Sequence, residues 1–259
     1  MMRLAANLTM LFNEVAFMQR FALAAEQGFK AVEFLFPYEF DADLLAHELH
    51  RHGLTQALFN MPPGDWAAGE RGMAAIPGRE EEFRSHLPTV LKYAQALQCK
   101  QVHAMAGIVP AGTQRADYEA TFIANMRHAA DFFAPHGIRV LTEPLNQRDM
   151  PGYFISHQRQ AAALIDQIDR ANVGLQFDCY HAQIMDGDLS RLIESLLPYI
   201  AHIQIASVPQ RNEPDQGELN YPHLFQHLEQ LGYQGWIGCE YKPASTTLDG
   251  LGWAQPYLS

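Results

Sequence analysis

Short hydrophobic segments alternate along the whole chain with longer segments in which hydrophobic residues recur every three or four positions. The short segments are apolar or β-branched at consecutive positions, which predicts strands that are buried on both faces. Eight such segments are present: RLAANL from Arg3, AVEFLF from Ala31, TQALFN from Thr55, QVHAMA from Gln101, IRVLTE from Ile138, VGLQFD from Val173, HIQIA from His202 and WIGCEY from Trp236.

The longer segments predict helices between these strands. Phe17, Phe21 and Ala24 share one helical face before Gly28, a residue that suits a left-handed helix end. Two later segments repeat the pattern, with Phe122, Met126, Ala129, Ala130 and Phe133 before Gly137, and with Ala161, Leu164, Ile165 and Ile168 before the sixth strand. A helix over residues 77–97 is predicted to kink at Pro88, because proline lacks the backbone donor.

Strands and helices in strict alternation predict an α/β fold in which helices cover a parallel sheet. Eight strand–helix units favour closure into a single (β/α)8 TIM barrel, with residues 1–259 as one domain. An open doubly wound sheet is the competing fold. Neither a G-x-G-x-x-G nor a G-x-x-x-x-G-K-[ST] motif follows the first strand, so the usual nucleotide-binding argument for that fold is missing.

The amino-acid composition indicates which kinds of partner and which cellular compartment to expect. Lys plus Arg number 18 and Asp plus Glu number 29, which gives a net charge of −11 and argues against nucleic acid as a partner. The segment MMRLAANLTMLFNE lacks the features of a secretion signal, and no run approaches the roughly 18 apolar residues of a membrane helix. Cys99, Cys179 and Cys239 are few and odd in number, which predicts reduced thiols in a cytoplasmic protein.

Polar side chains end the last four predicted strands. Glu143 lies in LTEPLN, Asp178 follows the sixth strand, Gln204 lies on the seventh, and Glu240 lies in WIGCEYKP. The C-terminal strand ends of a closed barrel meet at one mouth, so three carboxylates there require a neutralising cation. All-oxygen ligands predict Mg²⁺, or alternatively Mn²⁺, rather than Zn²⁺. The alternative is that each acid caps a helix or pairs with an arginine.

Several residues near these strand ends are candidates for binding substrate. Asn7 ends the first strand, and His181 follows Asp178 by one turn, where it either binds a substrate oxygen or packs in the core. His103 and His202 lie within apolar runs, which favours hydrogen-bonded core histidines.

Two loops add cationic and acidic candidates. Arg211, after the seventh strand, and Lys242, after the eighth, can each hold a carboxylate or remain solvated. The loop Asn60–Gly72 carries Glu70 and Arg71 between glycines, and its composition favours a lid over the barrel mouth, with an ordinary surface loop as the alternative.

Five motifs, FNMPPGDWAAGERG, PGREEEF, EPLN, GELNY and WIGCEYKP, together resemble the hydroxypyruvate isomerase family, which includes the 2-oxo-tetronate isomerases, within the xylose isomerase-like barrels. The likeness runs from AANLTMLF to CEYKP. It implies that Glu143 and Glu240 are the paired catalytic glutamates, and that Asp178 and Gln204 complete a divalent-metal site. The strand-seven ligand of the wider superfamily is commonly His, so Gln204 departs from that pattern.

The resemblance implies a small oxo acid as the substrate. DWAAGERG and EPLN are more similar to hydroxypyruvate isomerases, whereas VHAMAGIVPAG, FAPHG and NYPHLF are more similar to 2-oxo-tetronate isomerases, which we favour. A ketose 3-epimerase and a noncatalytic sugar-acid-binding barrel remain alternatives. A DNA-repair endonuclease of the same superfamily requires a basic groove and a His-rich trinuclear site. The net charge of −11 argues against that function. Whether the chain forms a homo-oligomer is left open.

Overall fold

The computed structural model describes residues 2–258, in which eight parallel strands form a closed barrel in chain order. The strands are β1 (Arg3–Asn7), β2 (Ala31–Phe34), β3 (Thr55–Asn60), β4 (Gln101–His103), β5 (Arg139–Thr142), β6 (Val173–Asp178), β7 (Ile200–Ile205) and β8 (Trp236–Cys239). Arg3 pairs with Trp236, which joins β1 to β8 and excludes the open doubly wound sheet. The predicted (β/α)8 barrel is therefore confirmed. Met1 and Ser259, which the predicted domain of residues 1–259 includes, lie outside the described residues.

Helices cover the outside of the barrel. They are α1 (Arg20–Glu26), α2 (Ala42–His52), α3 (Glu80–Ser85), α4 (Leu87–Ala96), α5 (Arg115–Phe133), α6 (Gln158–Ile168), α7 (Cys179–Met185), α8 (Leu189–Leu196), α9 (Tyr221–Gln230) and α10 (Thr247–Gly250). The single helix predicted over residues 77–97 is divided into α3 and α4. Pro88 lies in the first turn of α4, where its missing N–H has no helical partner to lose, so the chain restarts there instead of kinking within one helix.

The barrel interior changes character along its axis. At the N-terminal end of the strands, Ala5, Ala31 and Ala57 form a small apolar cluster against Trp236. Residues two positions further along face the same interior, because side chains alternate along a strand. At that level the interior is polar, and Glu33 is almost completely buried. The polar end of the interior lies at the C-terminal ends of the strands, where barrel enzymes carry out their chemistry.

The cysteines and the helices bear on two expectations drawn from the composition. Cys99, Cys179 and Cys239 are free and buried, in agreement with the prediction of reduced thiols. Among residues 2–258, no helix combines the length and the apolar character that crossing a membrane requires.

Candidate active site

Three carboxylates converge at the C-terminal mouth of the barrel. Glu143 immediately follows β5, Asp178 is the last residue of β6, and Glu240 immediately follows β8. Pro144 follows Glu143 and has no N–H for a ladder bond, which contributes to ending the strand there. Glu143 and Glu240 are each 5% exposed and Asp178 is fully buried, so the group is almost closed to solvent.

Burial and mutual repulsion hold these carboxylates toward their protonated forms. Burial is the largest cause that raises the pKa of Glu143 well above its usual value, and the charges of Glu240 and Asp178 raise it further. Burial likewise raises the pKa of Glu240 to about 8 and that of Asp178 to about 6, although Arg211 opposes both shifts. Glu143 and Glu240 therefore act on one another electrostatically from strands three positions apart in the barrel.

Arg211 is the cation of this group. Its Nη2 donates to Glu240 Oε2 at 2.8 Å and lies 3.5 Å from Asp178 Oδ2. Burial alone would lower the pKa of Arg211, but the two carboxylates outweigh it and raise the pKa. The backbone N–H of Lys242 donates to the Arg211 carbonyl at 2.8 Å, whereas the Lys242 side chain is exposed. For Glu240, arginine pairing, the alternative considered from sequence, thus describes the structure.

Among the described residues, no lysine or arginine lies within ion-pair distance of Glu143. Asp178 also caps α7, because its Oδ1 accepts from the Tyr180 backbone N–H at 2.8 Å. Cap and metal ligand are compatible roles for this carboxylate, since Oδ1 faces the helix and Oδ2 faces the site.

His181 is oriented by the segment that follows Glu143. Its Nδ1 accepts from the backbone N–H of Asn146 at 3.1 Å, so the proton of the neutral ring is on Nε2. That Nε2 lies 3.5 Å from Asp178 Oδ2. Burial, together with Arg211 and Arg148, lowers the pKa of His181 well below its usual value, so the ring is neutral at pH 7.

Glu143, Asp178 and His181 form a buried cluster that can bind a metal ion, with one ligand atom from each lying within 4.8 Å of the others. A metal on His181 Nε2 would require its proton to leave, because Asn146 occupies Nδ1. Glu143, whose pKa is raised, would likewise have to release its proton to bind an ion. Glu143 Oε1 is buried and has no hydrogen-bond partner among the described residues, so this oxygen is available to a ligand.

Gln204 lies deeper in the barrel and is engaged on both sides of its amide. Its Nε2 donates to Glu33 Oε1 at 2.8 Å, and its Oε1 accepts from Gln176 Nε2 at 2.6 Å. Asn7 also contacts Glu33, by donating from Nδ2 to Oε1 at 2.9 Å. Asn7 and Gln204 therefore lie in one buried polar layer below the three carboxylates.

The loop Asn60–Gly72 is tied down by its own polar groups. Glu70 accepts from the Asp65 backbone N–H at 2.6 Å and from Arg79 Nη1 at 2.5 Å. Arg71 lies over the Trp66 ring, 3.9 Å from its centroid, and donates to the carbonyls of Trp66 and Glu70. Both residues thus hold the loop together in this conformation.

Sequence reasoning missed the inward-facing partners of Glu143. Gln176 donates to Glu143 Oε2 at 3.0 Å, and its position two residues before Asp178 on β6 was the available signal.

His202 contacts Glu33 at 2.6 Å, as predicted for a hydrogen-bonded core histidine. His103 lies in the core as predicted, but the predicted hydrogen bonds are missing, because its ring nitrogens have no hydrogen-bond partner among the described residues. Its Nδ1 lies 3.6 Å from Glu143 Oε2, and burial, with His202, lowers its pKa to about 3.

Proteins with similar sequences cover the whole barrel. A 2-oxo-tetronate isomerase of Cupriavidus necator is 54% identical over 258 residues, which are 100% of this chain and 99% of the relative. A hydroxypyruvate isomerase of Escherichia coli is 46% identical over 257 residues, which are 99% of this chain and 100% of the relative. The resemblance drawn from the sequence motifs is therefore confirmed.

Solved structures of other proteins have the same fold as this chain. A crystal structure from Brucella melitensis, described as AP endonuclease, family 2, has a TM-score of 0.98 at 63% identity and covers 99% of each chain. D-psicose 3-epimerase from Clostridium cellulolyticum has a TM-score of 0.79 at 17% identity, over 97% of this chain and 90% of the other, which shows a common fold alone. The sequence profile described as xylose isomerase-like TIM barrel matches residues 21–257, and the chain belongs to that family.

Proposed function

We propose that this protein isomerises a four-carbon 2-oxo acid by moving its carbonyl group from C2 to C3, converting 2-dehydrotetronate to 3-dehydrotetronate. The observation that carries the proposal is the convergence of Glu143 and Glu240, two buried glutamates at one barrel mouth whose pKa values are raised. The name of the Cupriavidus necator relative supports this choice of substrate.

The reaction needs two proton transfers on neighbouring carbons. One glutamate removes the proton from C3, which gives an enediol shared by C2 and C3, and the other, protonated, returns a proton to C2. The hydroxyl proton on O3 passes to O2, so the atoms balance and no oxidant or reductant is consumed. Carboxyl groups whose pKa values are raised above the ordinary value suit proton transfer at these steps, and such general acid–base catalysis typically contributes about 10²- to 10⁴-fold.

The donor set fits a divalent ion. Glu143, Asp178 and Glu240 would hold Mg²⁺ or Mn²⁺, because a cation among three buried carboxylates relieves their repulsion. Such an ion, when bound, supplies Lewis-acid polarisation of the substrate carbonyl and hydroxyl oxygens. Gln204 as a further ligand stays a prediction; one lone pair of its amide oxygen already accepts from Gln176.

The remaining polar residues suit recognition of an oxo acid. His181 presents its Nε2–H toward the site as a donor for a substrate oxygen. Arg211 is only partly exposed and pairs with Glu240, which favours it over the exposed Lys242 as the anchor of the substrate carboxylate. Asn7, in the buried layer below the carboxylates, and Glu70 and Arg71, in the loop that follows β3, complete the proposed substrate-binding residues. A cytoplasmic location, supported by the three free cysteines, is part of the proposal.

Hydroxypyruvate isomerase, which forms tartronate semialdehyde, is the second candidate, because the relative from Escherichia coli carries that name at 46% identity. An endonuclease is not proposed, despite the description of the Brucella melitensis structure. The net charge of −11 opposes DNA binding, and the metal-type cluster in the described residues contains one histidine.

Product analysis tests the proposal. Purified protein would be incubated with 2-dehydrotetronate and with hydroxypyruvate, with and without EDTA, and the products followed by ¹³C NMR. We expect the faster turnover with 2-dehydrotetronate, with the carbonyl signal moving from C2 to C3. Epimerisation without carbonyl movement would replace the proposal with a 3-epimerase, and binding without turnover would replace it with a noncatalytic sugar-acid-binding protein.

A further inference from the structure

We propose that a buried chain of side-chain amides positions the carboxylate of Glu143, and that Gln176 and Gln204 are its positioning residues. The inference deepens the proposed function and rests on it, since Glu143 is the residue being positioned. The chain starts at Glu33 on β2, passes through Gln204 on β7 and Gln176 on β6, and ends at Glu143 after β5. We call these four residues the barrel relay.

Three hydrogen bonds link the barrel relay. Gln204 donates to Glu33 at 2.8 Å, Gln176 donates to Gln204 at 2.6 Å, and the same Gln176 Nε2 donates to Glu143 Oε2 at 3.0 Å. Each of the four side chains is 5% exposed or less. The relay therefore crosses the interior of the barrel through four strands and is shielded from competing water.

The direction of every hydrogen bond is fixed from one end. The backbone N–H of Thr9 donates to Asn7 Oδ1 at 3.1 Å, so the amide nitrogen of Asn7 must face Glu33. Glu33 accepts through its carboxylate, so Gln204 must turn its nitrogen toward Glu33 and its oxygen toward Gln176. Gln176 can then only present its nitrogen to Gln204, and the second hydrogen on that nitrogen points to Glu143.

The Glu33 carboxylate, where the relay starts, is closely surrounded by its neighbours. His202 contacts Glu33 Oε2 at 2.6 Å, and a Cβ built on Gly238 would lie 2.3 Å from the same oxygen. The carboxylate of Glu33 thus occupies the space that any side chain at position 238 would need. Strand irregularities lie beside two relay residues, between Val32 and Glu33 and between Leu175 and Gln176, and bulges of this kind re-aim side chains near active sites.

The two carboxylate oxygens of Glu143 have different surroundings. Oε2 is held from inside the barrel by Gln176, whereas Oε1 has no partner among the described residues and faces whatever occupies the site. Gln176 itself leaves its Oε1 buried and unpartnered, which costs free energy that an apolar residue would avoid. A contribution to placing Glu143 accounts for that unfavourable group.

Kinetics of matched variants test the inference. Gln176→Met and Gln204→Met remove the donors while keeping side-chain length, and displacement of a reacting group by about 1 Å can cost about 10²-fold. We expect kcat to fall by about 10- to 100-fold in Gln176→Met, with KM changed by less than about threefold. Gln56→Met is the control, because Gln56 is a buried barrel glutamine whose amide, among the described residues, donates only to the Leu58 carbonyl. It should keep wild-type kcat.

A double-mutant cycle separates positioning from general damage to the fold. In a Glu143→Ala background no carboxylate remains to be positioned, so adding Gln176→Met should change the residual rate by less than about twofold. Residual rates would be measured by solvent deuterium uptake over long incubations. If Gln176→Met lowers the rate equally with and without Glu143, or leaves wild-type kcat unchanged, the inference is overturned.

Crystal structures of the variants give a readout that needs no substrate. In Gln176→Met we expect the Glu143 carboxylate to rotate or to occupy two conformers, while in Gln56→Met it stays in place. An unmoved Glu143 in Gln176→Met would overturn the relay whatever the activity. If the wild-type protein isomerises neither oxo acid, the proposed function fails, and these structures still decide whether the relay positions Glu143.

Discussion

The metal-free protein is expected to lose stability as the pH rises from 7 to 9. In the folded state the pKa of Glu240 is raised to about 8 from an ordinary value of 4.5, and that of Glu143 is raised well above 4.5. Through this window the folded protein therefore holds protons that the unfolded chain has already released. Stability contributed by a raised pKa is lost as the pH passes through the folded-state value, so the free energy of unfolding falls.

The magnitude follows from these shifts. Glu240 passes through its folded-state pKa between pH 7 and 9, which lowers the free energy of unfolding by about 1 kcal/mol. Glu143, if it keeps its proton throughout, adds at most about 1.4 kcal/mol for each pH unit, or about 3 kcal/mol. The buried His103 and His181 have lowered pKa values, so their contribution is complete above about pH 6.5 and does not change in this window.

Urea unfolding followed by circular dichroism, in EDTA at pH 7, 8 and 9, measures the effect. We expect the two glutamates together to account for a loss between about 1 and 4 kcal/mol. The Glu143→Gln/Glu240→Gln double variant should therefore show a smaller slope than the wild-type protein, whereas Glu81→Gln, at an exposed position, should keep the wild-type slope. The slope that remains in the double variant comes from Cys99, Cys179 and Cys239, because burial raises the pKa of each thiol above its unfolded-state value. A free energy of unfolding that stays constant or rises with pH in the wild-type protein would refute the electrostatic account of the site, as would an unchanged slope in the double variant.

Four further outcomes follow from the same contacts. Glu143→Gln and Glu240→Gln should each lower kcat by at least about 10²-fold in steady-state assays while circular dichroism stays native; near-normal turnover in both would contradict their catalytic assignment. Mg²⁺ should raise the melting temperature of the wild-type protein more than that of Glu143→Gln in a thermal-shift assay, and equal shifts would argue against Glu143 as a ligand. Arg211→Ala should raise KM for the oxo acid strongly while Lys242→Ala leaves it nearly unchanged, and the reverse order would move the carboxylate anchor to Lys242. Gly238→Ala should destabilise the protein by about 1–3 kcal/mol or more in urea unfolding, because the added methyl group would overlap with the Glu33 carboxylate. An unchanged stability would show that Glu33 can move to make room for the methyl group.

The barrel could be predicted from sequence because its eight strands are continuous hydrophobic runs separated by helices of clear periodicity. Strand ends were less predictable. QVHAMA was predicted as one strand, yet β4 ends at His103. The Ala104 N–H still donates to the Leu141 carbonyl of β5, whereas the Ala106 N–H donates to the Tyr153 hydroxyl instead of to a strand. A run of small apolar residues does not reveal where the chain leaves the sheet, since burial continues in the loop.

The part of the candidate site that lies at the strand ends was the most predictable from sequence. Glu143, Asp178 and Glu240 were found because barrel topology alone brings strand ends together. Asn7 and Gln204 in the layer below were named from their strand positions, but Glu33 and Gln176, which connect them to Glu143, were not, because contacts across a barrel interior depend on the register between strands. That register shifts beside Glu33 and beside Gln176, and no feature of the sequence marks either shift.

The central claim is that one glutamate removes a proton from C3 and the other delivers a different proton to C2, through an enediol. Conversion of 2-dehydrotetronate in D₂O, followed by NMR and mass spectrometry of the initial product, tests it most directly. Because one residue removes the proton and another returns one, the account predicts one deuterium at C2 of 3-dehydrotetronate in nearly every molecule, above a control without enzyme. Product that retains the substrate hydrogen at C2 would indicate a direct hydride shift and contradict the account.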